Sequence, residues 1–177
     1  MKKSGKIALC GIITALSVIF MFLAGLIPLT TYAAPAFAGI LLLSVVIETS
    51  RHYAFLVYIA TSILSFIIIP NREASIFYIS LFGYYPIIKE LILKISNKFL
   101  CLILKLLIFN ISFFLIYYLA EKIFLIPHEA MDIMGPYGVY IFIFLANFAF
   151  LLYDLLIDRV SDLYLLRIQS KLTKLFK

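Results

Sequence analysis

Six long apolar runs, separated only where charges or prolines cluster, constrain this chain more than any other feature of its sequence. Of its 177 residues, 65% are apolar and only 14% are charged, whereas a soluble domain has about half its residues apolar and about a quarter charged. Most of the chain must therefore be surrounded by lipid. A helix crosses a bilayer in about 20 residues, and the runs that we interpret as spans are 7–27, 34–47, 53–69, 74–93, 99–120 and 136–156.

The distribution of Lys and Arg predicts how these spans are oriented. Six spans place both termini on one side of the membrane, and twelve of the 15 basic residues fall on that side. Basic residues in short loops mark the cytoplasmic side, so both termini are predicted to be cytoplasmic. Lys105 lies inside the fifth run, close enough to its cytoplasmic end for the ammonium to reach the membrane surface. The net charge of +6 is thus a topology signal, and too little polar surface remains to bind nucleic acid.

The predicted fold class is an all-α membrane protein with six transmembrane helices, which form one domain over residues 1–158. The remaining segment, 159–177, has Leu and Ile on one stripe and Lys and Arg on another at helical spacing. Such a basic amphipathic helix is expected to lie along the anionic lipids of the inner leaflet. Docking to a partner protein is the alternative for this segment.

Residue patterns that carry chemistry are sparse, and the sequence predicts neither a cofactor nor an enzyme. Its two cysteines lie in apolar runs, its two histidines fall on opposite predicted sides of the membrane, and it has no phosphate-binding loop. One acidic series, Asp154, Asp158 and Asp162, repeats every four residues near the inner end of the sixth span. It could hold Mg²⁺ for a pyrophosphate substrate. We favour instead a solvated face that is paired with nearby basic residues, namely Lys89, Lys94 and Arg159.

A few uncharged polar residues lie near the middle of the last three spans, where each needs a hydrogen-bond partner. Tyr84, Asn110 and Asn147 fall at about the same depth in the fourth, fifth and sixth spans, and Tyr85 follows the first of them. They predict one polar site between these three helices. The alternative is that each Asn bonds a neighbouring helix, which is worth about 0.6–2 kcal/mol.

Small side chains form a stripe near the start of the first span. Ala8, Gly11 and Ala15 recur at spacings of three and four residues, which places them on one face of a helix. Such a stripe permits close approach of another helix. That helix could belong to the same chain or to a separate membrane protein.

The opening residues and the first outer loop add a more specific pattern. The first span begins Lys6-Ile-Ala-Leu-Cys-Gly-Ile-Ile-Thr-Ala-Leu-Ser-Val18. Prolines bound the first outer loop, and the short second span begins Ala34-Pro-Ala-Phe-Ala-Gly39. With six spans and both ends inside, a chain of this length resembles the substrate-binding S component of an energy-coupling factor (ECF) transporter.

This resemblance implies an importer subunit in a bacterial cell membrane. It would capture a vitamin or a similar small organic solute from the outer side, and it would topple in the membrane during transport. Its implied partners are the small-molecule substrate, a transmembrane coupling protein, two cytoplasmic ATPases and the surrounding lipids.

The resemblance also implies roles for individual residues. The family carries an Ala-x-x-x-Ala docking motif in its first helix, and the matching positions here are Gly11 and Ala15, with Ala8 one turn earlier. The loops after the first and third spans act as lids in the family, which implies positions near the ligand for six of their residues: Thr30, Thr31, Tyr32, Asn71, Arg72 and Glu73. The complete predicted substrate-binding set is Tyr32, Asn71, Arg72, Tyr84, Tyr85, Asn110, Tyr117 and Asn147.

Two other functions fit the same sequence. One is the handling of lipid or prenyl phosphate, either by a flippase-like carrier or by a Mg²⁺-dependent transferase that uses Asp154 and Asp158. The other is a non-catalytic partner subunit, in which the mid-membrane polar residues only hold helices together.

Overall fold

The computed structural model describes residues 3–23, 25, 30–124 and 138–168, and within them the chain forms helices and no strand. The prediction of an all-α chain is thereby confirmed. The helices are α1 (Lys3–Leu23), α2 (Ala33–Glu48), α3 (Arg51–Ile68), α4 (Arg72–Phe77), α5 (Tyr85–Ile92), α6 (Lys98–Phe124) and α7 (Gly138–Leu163). Residues 169–177, which form part of the predicted tail helix, lie outside the described residues.

Four helical segments are long and apolar enough to cross a membrane: Lys3–Leu23, Arg51–Ile68, Lys98–Ile116 and Tyr140–Leu166. They correspond to the first, third, fifth and sixth predicted spans. The helix α2 has only 16 residues, and the fourth predicted span is not a single helix. The count of six crossings and the cytoplasmic position of both termini therefore stay predictions.

Pro86 accounts for the break in the fourth predicted span. Proline has no backbone N–H, and its ring clashes with the carbonyl four residues back, which here belongs to Phe82. The chain widens into a π-helical turn over Tyr78–Phe82, closed by a hydrogen bond from the Gly83 N–H to the Tyr78 carbonyl (2.8 Å). The helix α5 begins two residues after this bond, with Pro86 in its first turn.

The helix α2 passes very close to the π-helical turn because residue 39 is glycine. A Cβ atom at Gly39 would lie 2.6 Å from the hydroxyl oxygen of Tyr153 and closer still to the carbonyl oxygen of Phe82. Any larger residue would force these groups apart, so Gly39 allows α2 to pack against the turn and α7 together.

Protein surrounds α2 on two sides, which explains how a helix of this length is held. Leu42 and Val45 pack in an apolar cluster with α1, α3 and α5, whereas Leu43 packs in a second cluster with the segments from α4 to α7. In the second cluster, the ring of Phe109 stacks on that of Phe150, with their centres 4.5 Å apart. The short helix α2 is therefore the element shared by the two halves of the core.

The helix α7 continues without interruption through residue 158, where the sequence predicts the end of the transmembrane domain. It is followed by a π-helical turn over Tyr164–Ile168. The hydroxyl of Tyr164 donates to Oε1 of Glu48 at the end of α2 (3.4 Å). The boundary at residue 158 stays a prediction, and the helix itself does not change there.

Candidate functional site

Side chains from the connections that follow α1 and α3 are hydrogen-bonded to one another. The Asn71 amide donates to Oγ1 of Thr31 (3.0 Å), and the Tyr32 hydroxyl donates to Oε1 of Glu73 (2.8 Å). The amide oxygen of Asn71 also accepts from the backbone N–H of Ala74 (3.2 Å), so Asn71 is the N-cap of α4. The structure thus brings together the two segments that the sequence places near a ligand.

The Tyr32 hydroxyl is held as a hydrogen-bond donor. Partial burial of the phenol and the neighbouring Glu73 carboxylate raise the pKa of Tyr32 to about 12. The hydroxyl therefore stays protonated over the physiological pH range and keeps its bond to the carboxylate. The ring of Tyr32 packs edge-on against that of Phe77, with their centres 5.0 Å apart, which ties the first connection to α4 by apolar contact as well.

Arg72 is turned toward the end of α3. Its guanidinium lies 5.0 Å from the centre of the Phe66 ring and donates to the Phe66 carbonyl, and the residue is exposed. In this position the guanidinium donates to a backbone carbonyl in the last turn of α3. A cation is also favourable at a helix C-terminus. Its role in selecting a negatively charged ligand stays a prediction.

Asn110 and Asn147 pair with each other between α6 and α7. The Asn110 amide donates to Oδ1 of Asn147 (2.9 Å), and the Asn147 amide donates to Oδ1 of Asn110 (3.3 Å). Each amide also donates to the carbonyl four residues back in its own helix, that of Leu106 (2.8 Å) or Ile143 (2.9 Å). All four amide N–H groups are thus satisfied. This geometry favours the interpretation that the two residues bond their helices together.

The stability lost by replacing either asparagine alone is expected to exceed half of the stability lost by replacing both. The variants Asn110→Leu and Asn147→Leu should each lose about 0.6–2 kcal/mol of stability, since the remaining amide is left without its partner. The double variant leaves no unpaired amide, so its loss should be smaller than the sum of the two. Thermal unfolding in detergent, followed by circular dichroism, measures all three. Strictly additive losses would contradict the pairing.

Tyr84 and Tyr85 point to different partners, although they are adjacent in sequence. The Tyr84 hydroxyl is hydrogen-bonded to that of Ser112 in α6, and its ring meets that of Tyr58 edge-on, with their centres 6.3 Å apart. The Tyr85 hydroxyl, in contrast, donates to Asp154 of α7 (2.6 Å). Tyr117 lies in α6, but its side chain is outside the described part of the structure. The mid-membrane residues that the sequence predicts to form one site thus make separate contacts in the structure.

A buried group of charged side chains joins α5, α6 and α7. This Asp154 cluster consists of Tyr85, Lys89, Lys105, Asp154 and Asp158. Oδ1 of Asp154 lies 2.6 Å from the Lys89 ammonium, and Oδ2 lies 2.7 Å from the Lys105 ammonium. Lys89 also pairs with Oδ1 of Asp158 (2.8 Å) and donates to the backbone carbonyl of Asp154 (2.5 Å).

Burial makes the Asp154 cluster energetically demanding. Lys89 is 2% exposed, Lys105 8% and Asp154 7%, and only the Asp158 side chain, at 42%, is substantially exposed. Taking such charges out of water costs several kcal/mol for each ion unless opposite charges lie in contact. Here two ammonium groups face two carboxylates, so the formal charges cancel within the cluster.

Two sequence-based expectations about these charges are wrong. Lys105 does not extend to the membrane surface, because its ammonium turns inward to Asp154. The aspartate series is not a uniformly solvated face either, since Asp154 is buried while Asp162 is exposed. Of the three basic residues expected to pair with it, only Lys89 does so; Lys94 lies 3.9 Å from Glu90 instead, and Arg159 is exposed.

The same contacts bear on the proposed Mg²⁺ site. Both carboxylate oxygens of Asp154 are already engaged by lysine ammonium groups, which compete with a metal ion for the same lone pairs. In the part of the chain that the structure describes, no three His, Cys, Asp or Glu side chains are placed to hold a metal ion. The geometry therefore does not support a two-aspartate magnesium site.

The small-residue stripe of α1 faces outward. Ala8, Gly11 and Ala15 are exposed, and a Cβ atom added at Gly11 would have no described neighbour within 4 Å apart from the backbone of its own helix. Gly11 and Ala15 line a shallow apolar groove together with Ala60 and Leu64 of α3. Among the described residues, no other helix of the chain covers this stripe; that it receives a separate membrane protein stays a prediction.

Comparison with known proteins gives no match to this chain. No protein-family model, no curated protein and no solved structure matches it. The function of the chain must therefore be argued from its own residues, namely the joined connections, the polar contacts inside the bundle and the uncovered face of α1.

Proposed function

We propose that the chain is the membrane-embedded substrate-binding subunit of an ECF-type importer, which captures a small organic solute from the outer side. The observation that carries this proposal is the contact between the connections after α1 and α3, through Asn71 with Thr31 and Tyr32 with Glu73. Two segments that are linked through side-chain contacts can separate to admit a solute and close again over it.

The strength of this contact suits repeated opening. A hydrogen bond of this kind contributes about 0.5–1.5 kcal/mol net, so the two bonds together contribute about 1–3 kcal/mol to the closed arrangement. A solute that contacts both segments would shift the equilibrium further toward closure.

The direct test is native mass spectrometry of the chain purified from its own host. We expect a small molecule to be retained, and we expect Tyr32→Phe, which removes the donor to Glu73, to release it roughly 2- to 12-fold faster. Tyr118→Phe is the matched control, since Tyr118 is exposed on α6 and its hydroxyl should not matter. Retention of a lipid in place of a vitamin-sized solute would instead favour lipid or prenyl-phosphate handling.

The uncovered face of α1 supports the second half of the proposal, the attachment to a transmembrane coupling protein. Gly11 and Ala15 leave room for close approach of another helix. Large side chains at these positions would hold the two backbones apart by several ångströms.

We therefore expect Gly11→Leu with Ala15→Leu to abolish co-purification of the coupling protein and the two ATPases with the tagged chain. Solute retention should persist, because the change lies on the outside of α1. Ala149→Leu is the matched control, a small-to-large change at an exposed position of α7. Undiminished assembly of the α1 variant would count against the docking role, whereas loss of assembly with both variants would indicate a general defect of the membrane-facing surface.

A further inference from the structure

The carboxylate of Glu73 has no positively charged partner among the residues that the structure describes. Its Oε1 accepts from the Tyr32 hydroxyl (2.8 Å), which is a neutral donor. None of the ion pairs between described residues includes Glu73. A carboxylate has lone pairs for about four hydrogen bonds, so Glu73 offers a negative charge and further acceptor positions to an incoming group.

The neighbouring Arg72 does not supply the missing positive charge. Its guanidinium donates to the Phe66 carbonyl and lies 5.0 Å from the centre of the Phe66 ring, at the end of α3. It is therefore paired with α3 and not with Glu73. Among the described side chains, the charge between the connections after α1 and α3 is thus negative, which is the opposite of the sign that the sequence suggests through Arg72.

Two aromatic rings lie beside the Glu73 carboxylate. Phe77 follows Glu73 by four residues, which places both on the same face of α4. The Tyr32 ring meets the Phe77 ring edge-on, at an angle of 89° and with the centres 5.0 Å apart. Tyr32 is 54% exposed, so a solute can reach this corner, which is formed by one carboxylate and two rings at right angles.

Local packing fixes where these groups lie. Ala34, two residues after Tyr32, packs against Ala74, the residue after Glu73, and both alanines are buried. Asn71 caps the first turn of α4, which carries Glu73. The carboxylate and the rings are thus held together before a solute arrives, and such preorganisation lowers the entropic cost of binding.

The chemistry of this corner restricts what it can bind. A carboxylate attracts a cation through its charge, and the face of an aromatic ring attracts an organic cation through its quadrupole. A neutral group gains neither attraction, and an anion would be repelled by Glu73. The combination therefore favours an ammonium group that carries hydrocarbon.

We propose that Glu73, Tyr32 and Phe77 form a subsite for a positively charged organic group, an amine or a quaternary ammonium, so that the solute belongs to the class of organic cations. The subsite rests on the proposed function for its place in import, because it lies between the two connections that would close over the solute. Binding of a cationic probe can be measured whether or not the chain takes part in import.

Three probes of nearly the same shape but different charge test the subsite. Choline is the cation, 3,3-dimethylbutanol is its neutral analogue with carbon in place of the quaternary nitrogen, and 3,3-dimethylbutanoate is the anion. Titration calorimetry of the purified full chain in detergent should show choline binding about 10-fold more tightly than the neutral analogue. The anion should not bind.

Glu73→Gln separates the charge from the contact between the connections. The glutamine side chain has a similar size, and its amide oxygen can still accept from the Tyr32 hydroxyl. Choline binding should weaken about 10-fold, to the level of the neutral analogue, whose own binding should not change. Asp162→Asn removes the same charge from an exposed position on α7 and should leave all three affinities unchanged.

Several results would overturn the subsite. They are equal binding of choline and its neutral analogue, tighter binding of the anion, no choline binding at millimolar concentration, or a choline preference that survives Glu73→Gln. A natural solute that is retained by the chain and carries a carboxylate or phosphate but no basic nitrogen would also overturn it, while leaving the import function in place. The import function fails on other results, namely the absence of any retained solute or unchanged release from Tyr32→Phe.

Discussion

Replacing Asp154 by Asn is expected to destabilise the protein by about 3–5 kcal/mol, because it removes the carboxylate that Lys89 and Lys105 share. Asparagine has nearly the same shape, so the change isolates the charge. The melting temperature in detergent should fall by about 6–20 °C. Asp162→Asn is the control, since Asp162 is exposed on the same helix two turns further on, and it should behave like the unchanged protein. Equal melting temperatures for the two variants would mean that the Asp154 cluster does not hold the helices together.

A second variant tests whether the buried charges are needed for function or only for stability. Substitution of Lys89 and Lys105 by Met, combined with Asp154→Leu, replaces the three most buried charges by apolar groups of similar size. Such replacements are often neutral or stabilising, so we expect this variant to fold. If it also assembles with the proposed partners and retains the proposed solute, the cluster acts only in stability. Loss of either property in a folded protein would assign the charges a part in function.

Gly39→Ala is the second change for which we expect a large effect. The added methyl would collide with the carbonyl oxygen of Phe82 and would lie 2.6 Å from the Tyr153 hydroxyl oxygen. Because the first of these is backbone, α2 must shift away from the π-helical turn. Overpacking of this kind costs about 1–3 kcal/mol or more, and it should lower the melting temperature accordingly.

Gly11→Ala is the matched control for this change, and its effect should have the opposite sign. A methyl at Gly11 has no described neighbour within 4 Å beyond its own helix backbone. Alanine is favoured over glycine inside a helix by about 1 kcal/mol, so this variant should melt at a slightly higher temperature. Melting temperatures that move in the same direction for the two variants would contradict the close approach of α2 to the turn.

The helices themselves could be predicted from the sequence, because α1, α3, α6 and α7 each contain an apolar run of sufficient length. Pro86 signalled that the fourth run could not continue unchanged. The close approach of Gly39 to the freed carbonyl of Phe82 could not be predicted, since it depends on a contact between distant segments. The common depth of Asn110 and Asn147 was visible in the sequence, but their pairing was not, because Tyr84 has the same predicted depth and bonds Ser112 instead.

The pairing of Lys89 with the aspartate series was expected from the sequence, but the burial of the Asp154 cluster and the part played by Lys105 were missed for a physical reason. In a soluble helix the apolar stripe identifies the buried face, but a helix in lipid is apolar on the lipid side as well as on the protein side. The sequence therefore did not show that Lys105 of α6 faces Asp154 of α7. The available signal was weaker: a charged residue inside a membrane helix almost always faces a partner in the protein.

The sharing of one carboxylate by three helices has a consequence for biosynthesis. Asp154 follows Lys89 by 65 residues and Lys105 by 49, so both lysines leave the ribosome before their counter-ion has been made. A lysine inside a membrane helix opposes insertion, by up to about 2.5–3.5 kcal/mol at the helix centre. We expect α5 and α6 to remain near the membrane surface until α7 follows them, which makes the arrival of the last helix the step that completes the bundle.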